Sequence, residues 1–279
     1  MNKLRLTACT TLTMFAFAGN SLFCRMALKE TGIDAASFTS VRLLSGALAL
    51  WLLMRWQGRA PLANGSWRSA IALFIYAVAL SFAYRSIDTG AGALMLFGAV
   101  QATMLIAGFI AGERMSTMQT VGFAAAMIGL VILVSPGVEA PSVLDSILML
   151  ASGVAWGVYS MFGRGLPNPA AATAGNFLRA APLTIALSLL ALPWLQLDSR
   201  GVLYAVLSGS VTSALGYVLW YHVLQHMRAM TASTVQLSAP VIASIGGILL
   251  LGEALTRDLT IASVLILGGI WMVLRYGKR

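Results

Sequence analysis

Apolar stretches of about 20 residues recur along the chain and are separated by short polar segments. Because an α-helix of roughly 20 apolar residues crosses the hydrocarbon core of a bilayer, each stretch predicts one membrane span. The pattern predicts ten spans and leaves no segment long or polar enough for a separate soluble domain. The predicted spans are Leu4–Met26, Ala35–Met54, Trp67–Tyr84, Ala91–Ala111, Thr117–Val134, Val143–Phe162, Ala170–Leu192, Val202–Leu224, Met230–Leu251 and Leu259–Tyr276.

A repeated motif indicates that the chain is an internal duplication. Residues 159–164 repeat the Ser-x-Phe-x-Arg pattern of residues 20–25, and the Gly-Glu pair at 112–113 recurs at 252–253. Each half contributes five predicted spans, and this odd number places the two halves in opposite orientations in the membrane. We therefore predict an all-α membrane protein of two inverted five-helix repeats around a central cavity, an arrangement typical of transporters. The predicted repeats are residues 1–137 and 138–279.

The basic residues are placed so that they predict the orientation of the chain. Apolar residues make up 59% of the sequence and charged residues 10%, with a net charge of +9, whereas soluble domains are about 25% charged. With the N-terminus inside, eleven Lys and Arg lie in loops or near span ends on the cytoplasmic side and five on the opposite side. The positive-inside rule then places both termini in the cytoplasm. No nucleic-acid partner is expected, because no soluble face gathers the basic residues.

The second half of the chain carries motifs of a known family. Its Leu237-Ser-Ala-Pro240 run precedes a Leu250-Leu-Gly-Glu-Ala-Leu255 turn and a Gly268-Gly269 pair, and residues 93–134 look like a degenerate first copy. In these features the chain resembles the EamA-type transporters of the drug/metabolite transporter superfamily, most of all the bacterial amino-acid exporters. The resemblance implies ten helices around a substrate cavity, a small-molecule substrate, the lipid bilayer as environment, and a place in the bacterial inner membrane.

Titratable groups are scarce inside the predicted spans. All nine acidic residues fall in loops or at span ends, so the sequence lacks the buried carboxylate that proton-coupled exporters generally use. We therefore expect transport without proton coupling. His222, near a span end, is the remaining candidate proton carrier, or else an interfacial histidine. No cluster of His, Cys, Asp and Glu predicts a metal site, and no cofactor or catalytic centre is expected.

Two arginines, Arg42 and Arg179, lie within predicted spans at comparable places in the two halves. A buried arginine must find acceptors or water. It can meet a substrate carboxylate in a bidentate pair, or it can tie together backbone carbonyls or the turn residues Glu113 and Glu253. Both interpretations stay open at this point. Arg179, nearer the middle of its span, is assigned to substrate binding, and Arg42, Glu113 and Glu253 are assigned to structure or gating.

Prolines and amides indicate polar positions inside two of the spans. Pro240 lies near the centre of the ninth span, where its missing N–H leaves the carbonyl of Gln236 unpaired. Such a carbonyl needs protein, water or ligand in a bilayer. The side chains of Gln236 and of Gln101, at the centre of the fourth span, are predicted to bind substrate, with interhelical hydrogen bonding as the alternative. Pro182 is expected to bend the seventh span similarly.

Aromatic residues supply the rest of the predicted binding surface. Trp156 and Tyr159 share one face of the sixth span, and Phe17 and Asn20 hold the equivalent places in the first. Aromatic faces hold an ammonium group or stack an apolar side chain, whereas aromatic residues near span ends form belts at the lipid interface. The residues predicted to line the cavity on this basis are Phe17, Asn20, Tyr84, Trp156, Tyr159 and Tyr217.

A carrier of small metabolites fits these features better than two other classes of membrane protein. An intramembrane enzyme needs a convergent nucleophile, metal or carboxylate pair, and a sensory or structural protein usually carries a soluble domain. Aromatic residues, amides and arginine without a carboxylate favour neutral, aromatic or hydrophobic amino acids, exported by alternating access. The alternative is a multidrug or other metabolite exporter, although a lipophilic cation would prefer an internal Glu. We expect a monomer or a weak homo-oligomer.

Overall fold

The computed structural model describes residues 3–62, 64–134, 142–252 and 257–276. Every regular element within these ranges is a helix, which confirms the all-α class. The helices are α1 (Lys3–Glu30), α2 (Ala35–Trp56), α3 (Trp67–Ala83), α4 (Thr89–Ile110), α5 (Thr117–Val134), α6 (Val143–Gly163), α7 (Pro169–Ala191), α8 (Ser199–Leu207), α9 (Gly216–Leu224), α10 (Ala229–Gln236), α11 (Ser238–Leu251) and α12 (Arg257–Arg275). A short 3-10 helix, Leu192–Trp194, follows α7.

Six helical stretches in the described part of the chain are long and apolar enough to cross a membrane. They are Lys3–Glu30, Ala35–Trp56, Val143–Gly163, Pro169–Trp194, Ser199–Leu224 and Ala229–Leu251. Three shorter apolar helices, Trp67–Ala83, Met95–Ile110 and Thr260–Val273, lie where the sequence predicts further spans. The chain is therefore a helical membrane protein, while the count of ten spans stays a prediction.

Polar side chains set where several helices begin. Asp34 accepts hydrogen bonds from the N–H groups of Ala36 and Ser37 at 2.9 Å and thereby caps α2. Asp198 accepts from the N–H of Gly201 at 2.9 Å and caps α8. Each cap satisfies a backbone donor that the first helical turn leaves without a partner. Both capping residues therefore lie in the short connections that precede their helices.

The helices pack in pairs that connect the two halves of the chain. Helix α5 lies against α12, and α2 lies against α7. Helices α3 and α4 both pack on α6, while α8, α9 and α11 all pack on α1. Large apolar side chains such as Leu48, Ile110 and Leu249 are exposed on the outward faces, as expected for helices that are apolar all round and meet lipid. The interior contains small residues and large aromatic rings.

A π-helical segment, Ser208–Leu215, joins α8 to α9. This segment begins with the small residues Ser208-Gly209-Ser210. A π-helix is rare, and where it occurs it usually interrupts an α-helix close to a functional site. The segment packs against α1 and α2, so the change in helical geometry occurs inside the bundle.

Proline interrupts one of the long helices but not another. Helix α10 ends at Gln236 and α11 begins two residues later, so the regular helix breaks at Leu237, shortly before Pro240. Pro240 has no N–H with which to bond the carbonyl of Gln236, and the break follows from that loss. Pro182 lies inside α7, which continues through it as an α-helix.

Candidate functional site

Trp156, on α6, lies at the centre of a buried group of aromatic rings. Its ring centroid is 4.5 Å from that of Tyr217, 5.0 Å from Tyr76, 5.1 Å from Phe17 and 5.4 Å from Tyr159. Ring contacts of this kind contribute about 0.5–1.5 kcal/mol each beyond the area they bury. The rings come from α1, α3, α6 and α9, so they join both halves of the chain. We call Phe17, Tyr76, Trp156, Tyr159, Tyr217 and Trp220 the aromatic cluster.

Hydrogen bonds fix the outer rings of the aromatic cluster. Trp220 packs on Phe17 with ring centroids 5.5 Å apart, and its Nε1 donates to Oγ of Ser160 at 2.9 Å. The hydroxyl of Tyr221 donates to the carbonyl of Tyr159 at 3.0 Å. Buried Trp and Tyr usually find such partners for their polar atoms. The hydroxyl of Tyr159 is an exception, because it has no hydrogen-bond partner among the described residues.

Asn20, on α1, connects several buried hydroxyl groups beside the rings. Its Nδ2 donates to the hydroxyl of Tyr76 at 2.8 Å, and its Oδ1 accepts from Ser208 at 2.7 Å and from Ser213 at 3.3 Å. The hydroxyl of Tyr217 donates to that of Tyr76 at 3.1 Å. Polar side chains therefore join α1, α3, the π-helical segment and α9 next to the aromatic cluster.

Arg42 completes this set of contacts from α2. The side chain is fully buried. Its Nε donates to Oγ of Ser213 at 3.2 Å and its Nη2 to the hydroxyl of Tyr217 at 3.0 Å, while Cζ lies 5.2 Å from the ring centroid of Tyr76. Its Nη1 has no hydrogen-bond partner in the described part of the chain. We call Asn20, Arg42, Ser208 and Ser213, with the hydroxyls of Tyr76 and Tyr217, the polar network.

A glycine brings the π-helical segment close enough to α2 for these contacts to form. A Cβ at Gly209 would lie 2.0 Å from the carbonyl oxygen of Arg42, so no larger residue fits there. Ser208 and Ser213 both reach Asn20 although they are five positions apart. In an α-helix of about 3.6 residues per turn, positions five apart do not share a face. The π geometry is therefore what directs both hydroxyls to Asn20.

The two predicted amides have different surroundings. Gln236 lies beside the aromatic cluster, where its Oε1 accepts from Nε1 of Trp156 at 2.9 Å and its Nε2 donates to Sδ of Met104 at 3.2 Å. Gln101 donates to the carbonyl of Ser233, a contact that ties α4 to α10. Its Oε1 has no partner among the residues that the structure describes. Gln236 thus orients the central tryptophan, whereas Gln101 makes the interhelical contact that was the alternative interpretation.

Little empty space remains inside the aromatic cluster. The enclosed cavity has a volume of about 10 Å³ and is lined by Phe17, Ser21, Tyr76, Leu96, Phe97 and Trp156. One water molecule needs about that much room. Larger open cavities lie near the loops: one of about 570 Å³ is lined by the α2–α3 and α6–α7 loops, and one of about 730 Å³ by the α1–α2 and α7–α8 loops. The rings thus leave little room between them, while a further cavity of about 600 Å³ lies between α1, α10 and α11, with Thr10, Met14 and Val235 in its lining.

Two residues predicted to bind substrate hold loops instead. Arg179 donates from Nη1 to the carbonyl of Asn64 at 2.7 Å, which matches the structural interpretation of this arginine. Tyr84 ends α3, where its carbonyl accepts from Arg25 at 3.1 Å and its hydroxyl donates to the carbonyl of Thr89 at 3.4 Å. The structure does not bring either residue into the aromatic cluster or the polar network.

Glu113, in the turn after α4, binds three neighbouring groups. Its Oε1 accepts from the N–H of Ala229 at 3.1 Å and its Oε2 from that of Met230 at 3.2 Å, at the start of α10. Nη2 of Arg164 lies 2.8 Å from Oε1. Burial raises the pKa of this carboxyl, but the backbone donors and Arg164 outweigh burial, so the pKa of Glu113 lies below its ordinary value of 4.5. Glu113 therefore ties a turn to a helix start.

A second ion pair lies at the other end of α4. Nη2 of Arg25 is 2.6 Å from Oδ1 of Asp88, and Nζ of Lys29 is 4.0 Å from the same oxygen. The Asp88 side chain is 66% exposed, whereas that of Glu113 is 11% exposed. The arginines of the two repeated Ser-x-Phe-x-Arg motifs thus pair with acidic residues at opposite ends of one helix. Glu253, the counterpart of Glu113, lies outside the described residues.

Five residues of the site carry no substrate-binding assignment from the sequence: Tyr76, Trp220, Arg42, Ser208 and Ser213. The signal for the serines is the run of small and polar residues at 208–213 inside a predicted span. Polar residues in a span usually face the interior of the bundle. The π-helical geometry that brings the two serines together has no comparable signal in the hydrophobic pattern.

Comparison with known proteins identifies the family. The EamA-like transporter family matches residues 145–275. An uncharacterized protein of Pseudomonas aeruginosa is 51% identical over 266 residues, which cover 95% of this chain and 93% of that protein. This chain belongs to the EamA-like transporter family. The resemblance drawn from the Gly-Glu turns and Pro240 is thereby confirmed, and this EamA protein is a multi-pass membrane transporter whose partners are the bilayer and a small-molecule substrate.

Other relatives of this EamA protein are described as transporters. The uncharacterized transporter YoaV of Bacillus subtilis is 21% identical over 249 residues, which cover 84% of this chain and 85% of YoaV. A probable amino-acid metabolite efflux pump of Salmonella typhimurium is 26% identical over 198 residues, or 66% of each chain. A solved crystal structure with 18% identity matches 97% of this chain and 99% of its own with a TM-score of 0.75, which supports the fold alone.

Proposed function

We propose that this EamA-family transporter exports small amphiphilic metabolites by alternating access, with neutral, aromatic or hydrophobic amino acids as the favoured class. The observation that carries the proposal is the aromatic cluster with the polar network beside it, buried where helices of both halves meet. Stacked rings suit the apolar side chain of such a substrate, and amide and hydroxyl groups suit its polar end. The name of the Salmonella relative agrees with this substrate class.

The helix contacts support a proposed arrangement of ten spanning helices in two inverted repeats, residues 1–137 and 138–279. In this arrangement α1 corresponds to α6, α2 to α7, α3 to α8 and α9, α4 to α10 and α11, and α5 to α12. The packing of α3 on α6 then has its counterpart in the packing of α8 and α9 on α1. Exchanging the halves likewise converts the packing of α4 on α6 into that of α11 on α1, while the α2–α7 and α5–α12 contacts map onto themselves. A two-fold pseudo-symmetry in the membrane plane produces contacts that exchange in this way. On the charge distribution, both termini lie in the cytoplasm and the membrane is the bacterial inner membrane.

The roles of individual residues follow from their contacts. Arg179 and Tyr84 leave the proposed binding set because they hold loops, whereas Arg42 and Tyr76 join it. Glu113 and the break before Pro240 are proposed to govern gating, with Glu253 included for its repeat position and Pro182 for its place within α7. Gln101 also leaves the set, because its amide holds α4 to α10. The residues proposed to bind substrate are Phe17, Asn20, Arg42, Tyr76, Trp156, Tyr159, Tyr217 and Gln236.

The closed centre supports alternating access. Because the enclosed cavity holds about 10 Å³, an amino acid enters only when the rings of the aromatic cluster separate. We also propose that this movement is not coupled to protons. Within the described residues, neither the aromatic cluster nor the polar network contains a carboxylate or a histidine, the groups that usually carry protons in transporters.

Proteoliposomes containing the purified protein test the proposal. Radiolabelled L-phenylalanine should move down its gradient, and an imposed pH gradient should change the flux little. Trp156→Ala should weaken transport several-fold, because an aromatic contact and a hydrogen bond are worth about 0.5–1.5 kcal/mol each. Trp51→Ala is the control, because Trp51 is 40% exposed on the outer surface. This variant should transport at the wild-type rate.

Three results would contradict parts of this proposal. Wild-type rates in folded Trp156→Ala protein would remove the aromatic cluster from the binding site. Transport of tetraphenylphosphonium without transport of amino acids would favour the multidrug alternative. Accumulation against a substrate gradient, driven by pH, would show that protons are coupled to transport. Thermal stability of each variant separates a lost contact with substrate from a misfolded protein.

A further inference from the structure

Arg42 brings a positive charge into the centre of the molecule without a counterion among the described residues. The side chain is fully buried, and the ion pairs within the described chain involve Arg25, Lys29 and Arg164 instead. Burying a charge without a partner is costly, because nothing replaces the water that solvated it. The cost is greatest inside a membrane, where such residues mark substrate or ion pathways.

The hydrogen bonds satisfy only part of the guanidinium group. Its Nε and Nη2 donate to the neutral hydroxyls of Ser213 and Tyr217, and the ring of Tyr76 lies 5.2 Å from Cζ. Hydroxyl dipoles and a ring face reduce the cost of burial but carry no negative charge. Nη1 carries two N–H donors, and neither has a partner in the described residues. One terminal nitrogen of the buried guanidinium therefore keeps donors that a ligand could use.

Arg179 shows what a structural arginine looks like in the same protein. Its Nη1 donates to the carbonyls of Asn64 and Gly175 at 2.7 and 3.0 Å, and its Nη2 donates to that of Leu62 at 3.3 Å. Backbone carbonyls satisfy both terminal nitrogens of that group. Arg42 makes no such contact on Nη1 within the described chain, so its guanidinium group is less fully satisfied than that of Arg179.

The position of Arg42 relates it directly to the aromatic cluster. Tyr76 and Tyr217 both contact the guanidinium, and the rings of both also pack on Trp156, with centroids 5.0 and 4.5 Å away. A substrate whose apolar body is held among these rings therefore has its polar end close to Arg42.

We propose that Arg42 binds the carboxylate of the transported substrate, an inference that rests on the function proposed above. A carboxylate supplies the missing negative charge, and its two oxygens match the planar fork of N–H donors on a guanidinium. The substrate class is then a small carboxylate with an apolar or aromatic body. A lipophilic cation is disfavoured, because it would meet a positive charge at the same place.

Competition experiments with wild-type proteoliposomes test this inference. Uptake of labelled L-phenylalanine is measured against unlabelled L-phenylalanine, 3-phenylpropionate, L-phenylalaninamide and phenethylamine. The first two carry a carboxylate and should compete, and the other two should compete about tenfold or more weakly, because they lack the charge-assisted pair. Competition by 3-phenylpropionate separates recognition of any small carboxylate from recognition of the whole amino-acid group.

Variants then assign the preference to a residue. In Arg42→Gln, L-phenylalanine should compete about tenfold more weakly while L-phenylalaninamide changes little, and Arg42→Lys should keep part of the preference. Arg59→Gln is the matched control, since Arg59 lies exposed in the α2–α3 loop, and it should behave as wild type. A preference for carboxylates that survives in Arg42→Gln overturns the inference.

The wild-type measurement can overturn the inference even if Arg42→Gln does not fold. Equal competition by L-phenylalanine and L-phenylalaninamide overturns the role of Arg42 and leaves the proposed transport function standing. A wild-type protein that transports none of these aromatic compounds overturns both. Preference for the carboxylates, together with its loss in folded Arg42→Gln, supports both.

Discussion

Replacing Glu113 by Gln tests how strongly the turn after α4 is held to α10. Glu113 accepts hydrogen bonds from the backbone N–H groups of Ala229 and Met230 and pairs with Arg164. Glutamine has nearly the same shape and keeps one acceptor oxygen. It loses the charge, however, and turns an N–H₂ group toward a backbone donor. We therefore expect the same fold with a lower free energy of unfolding.

The magnitude follows from the contacts that change. A hydrogen bond to a charged group contributes about 1.5–3 kcal/mol and a neutral one about 0.5–1.5 kcal/mol. One backbone contact of Glu113 is lost and the other becomes neutral. The Arg164 side chain is 30% exposed, so solvent screening limits its ion pair to less than about 1 kcal/mol. The free energy of unfolding should fall by about 2.5–5.5 kcal/mol at neutral pH.

Unfolding in detergent, followed at several pH values, provides the assay. The charged carboxylate stabilises the fold and its pKa lies below the ordinary value of 4.5. Its contribution is therefore complete above that value and is lost as the pH falls through the lower pKa of the folded state. The difference between wild type and Glu113→Gln should stay constant around neutral pH and shrink as the pH falls below 4.5.

Glu30→Gln is the matched control for Glu113→Gln. Glu30 is exposed at the end of α1, so its replacement removes the same charge without removing a buried contact. That variant should unfold as wild type does at every pH. Two results would refute the reasoning: a Glu113→Gln protein as stable as wild type at neutral pH, or a stability difference that persists unchanged in acid.

Two further predictions concern packing and topology. Gly209→Ala should abolish folding or transport, because the new Cβ would lie 2.0 Å from a carbonyl oxygen of α2. In the control Gly268→Ala, the new Cβ meets no atom within 4 Å, so this variant should be tolerated. Size-exclusion chromatography compares the folded yields, and equal yields with equal transport would contradict the predicted clash at Gly209. Thiol labelling of introduced cysteines should place residues 57–66 on the cytoplasmic face and residues 138–142 on the opposite face, and labelling of both from one side would rule out the inverted five-plus-five arrangement.

The parts of the site that depend on local pattern could be predicted from the sequence. Hydropathy over about 20 residues indicates membrane helices, and helical spacing places Trp156 and Tyr159 on one face. The repeat then directs attention to Phe17 and Asn20 in the first half. The structure brings these four residues together with Tyr217 at the centre of the bundle.

The roles of the two buried arginines could not be predicted in this way. Arg42 and Arg179 lie at similar places in matching helices, and neither has a distinctive local motif. Arg179 finds loop carbonyls, while Arg42 meets Ser213 on a distant part of the chain. That contact requires Gly209 and the π-helical geometry together. The sequence also does not predict that aromatic rings occupy the centre of the bundle, because this depends on which conformation the helices adopt.

The ion pairs at the two ends of α4 differ in how far their acidic residues are exposed to solvent. At one end Glu113 is largely buried and bound by three donors, whereas at the other Asp88 is 66% exposed. Salt screens an exposed pair far more than a buried one. Added salt should therefore weaken the ion pair of Asp88 more than that of Glu113.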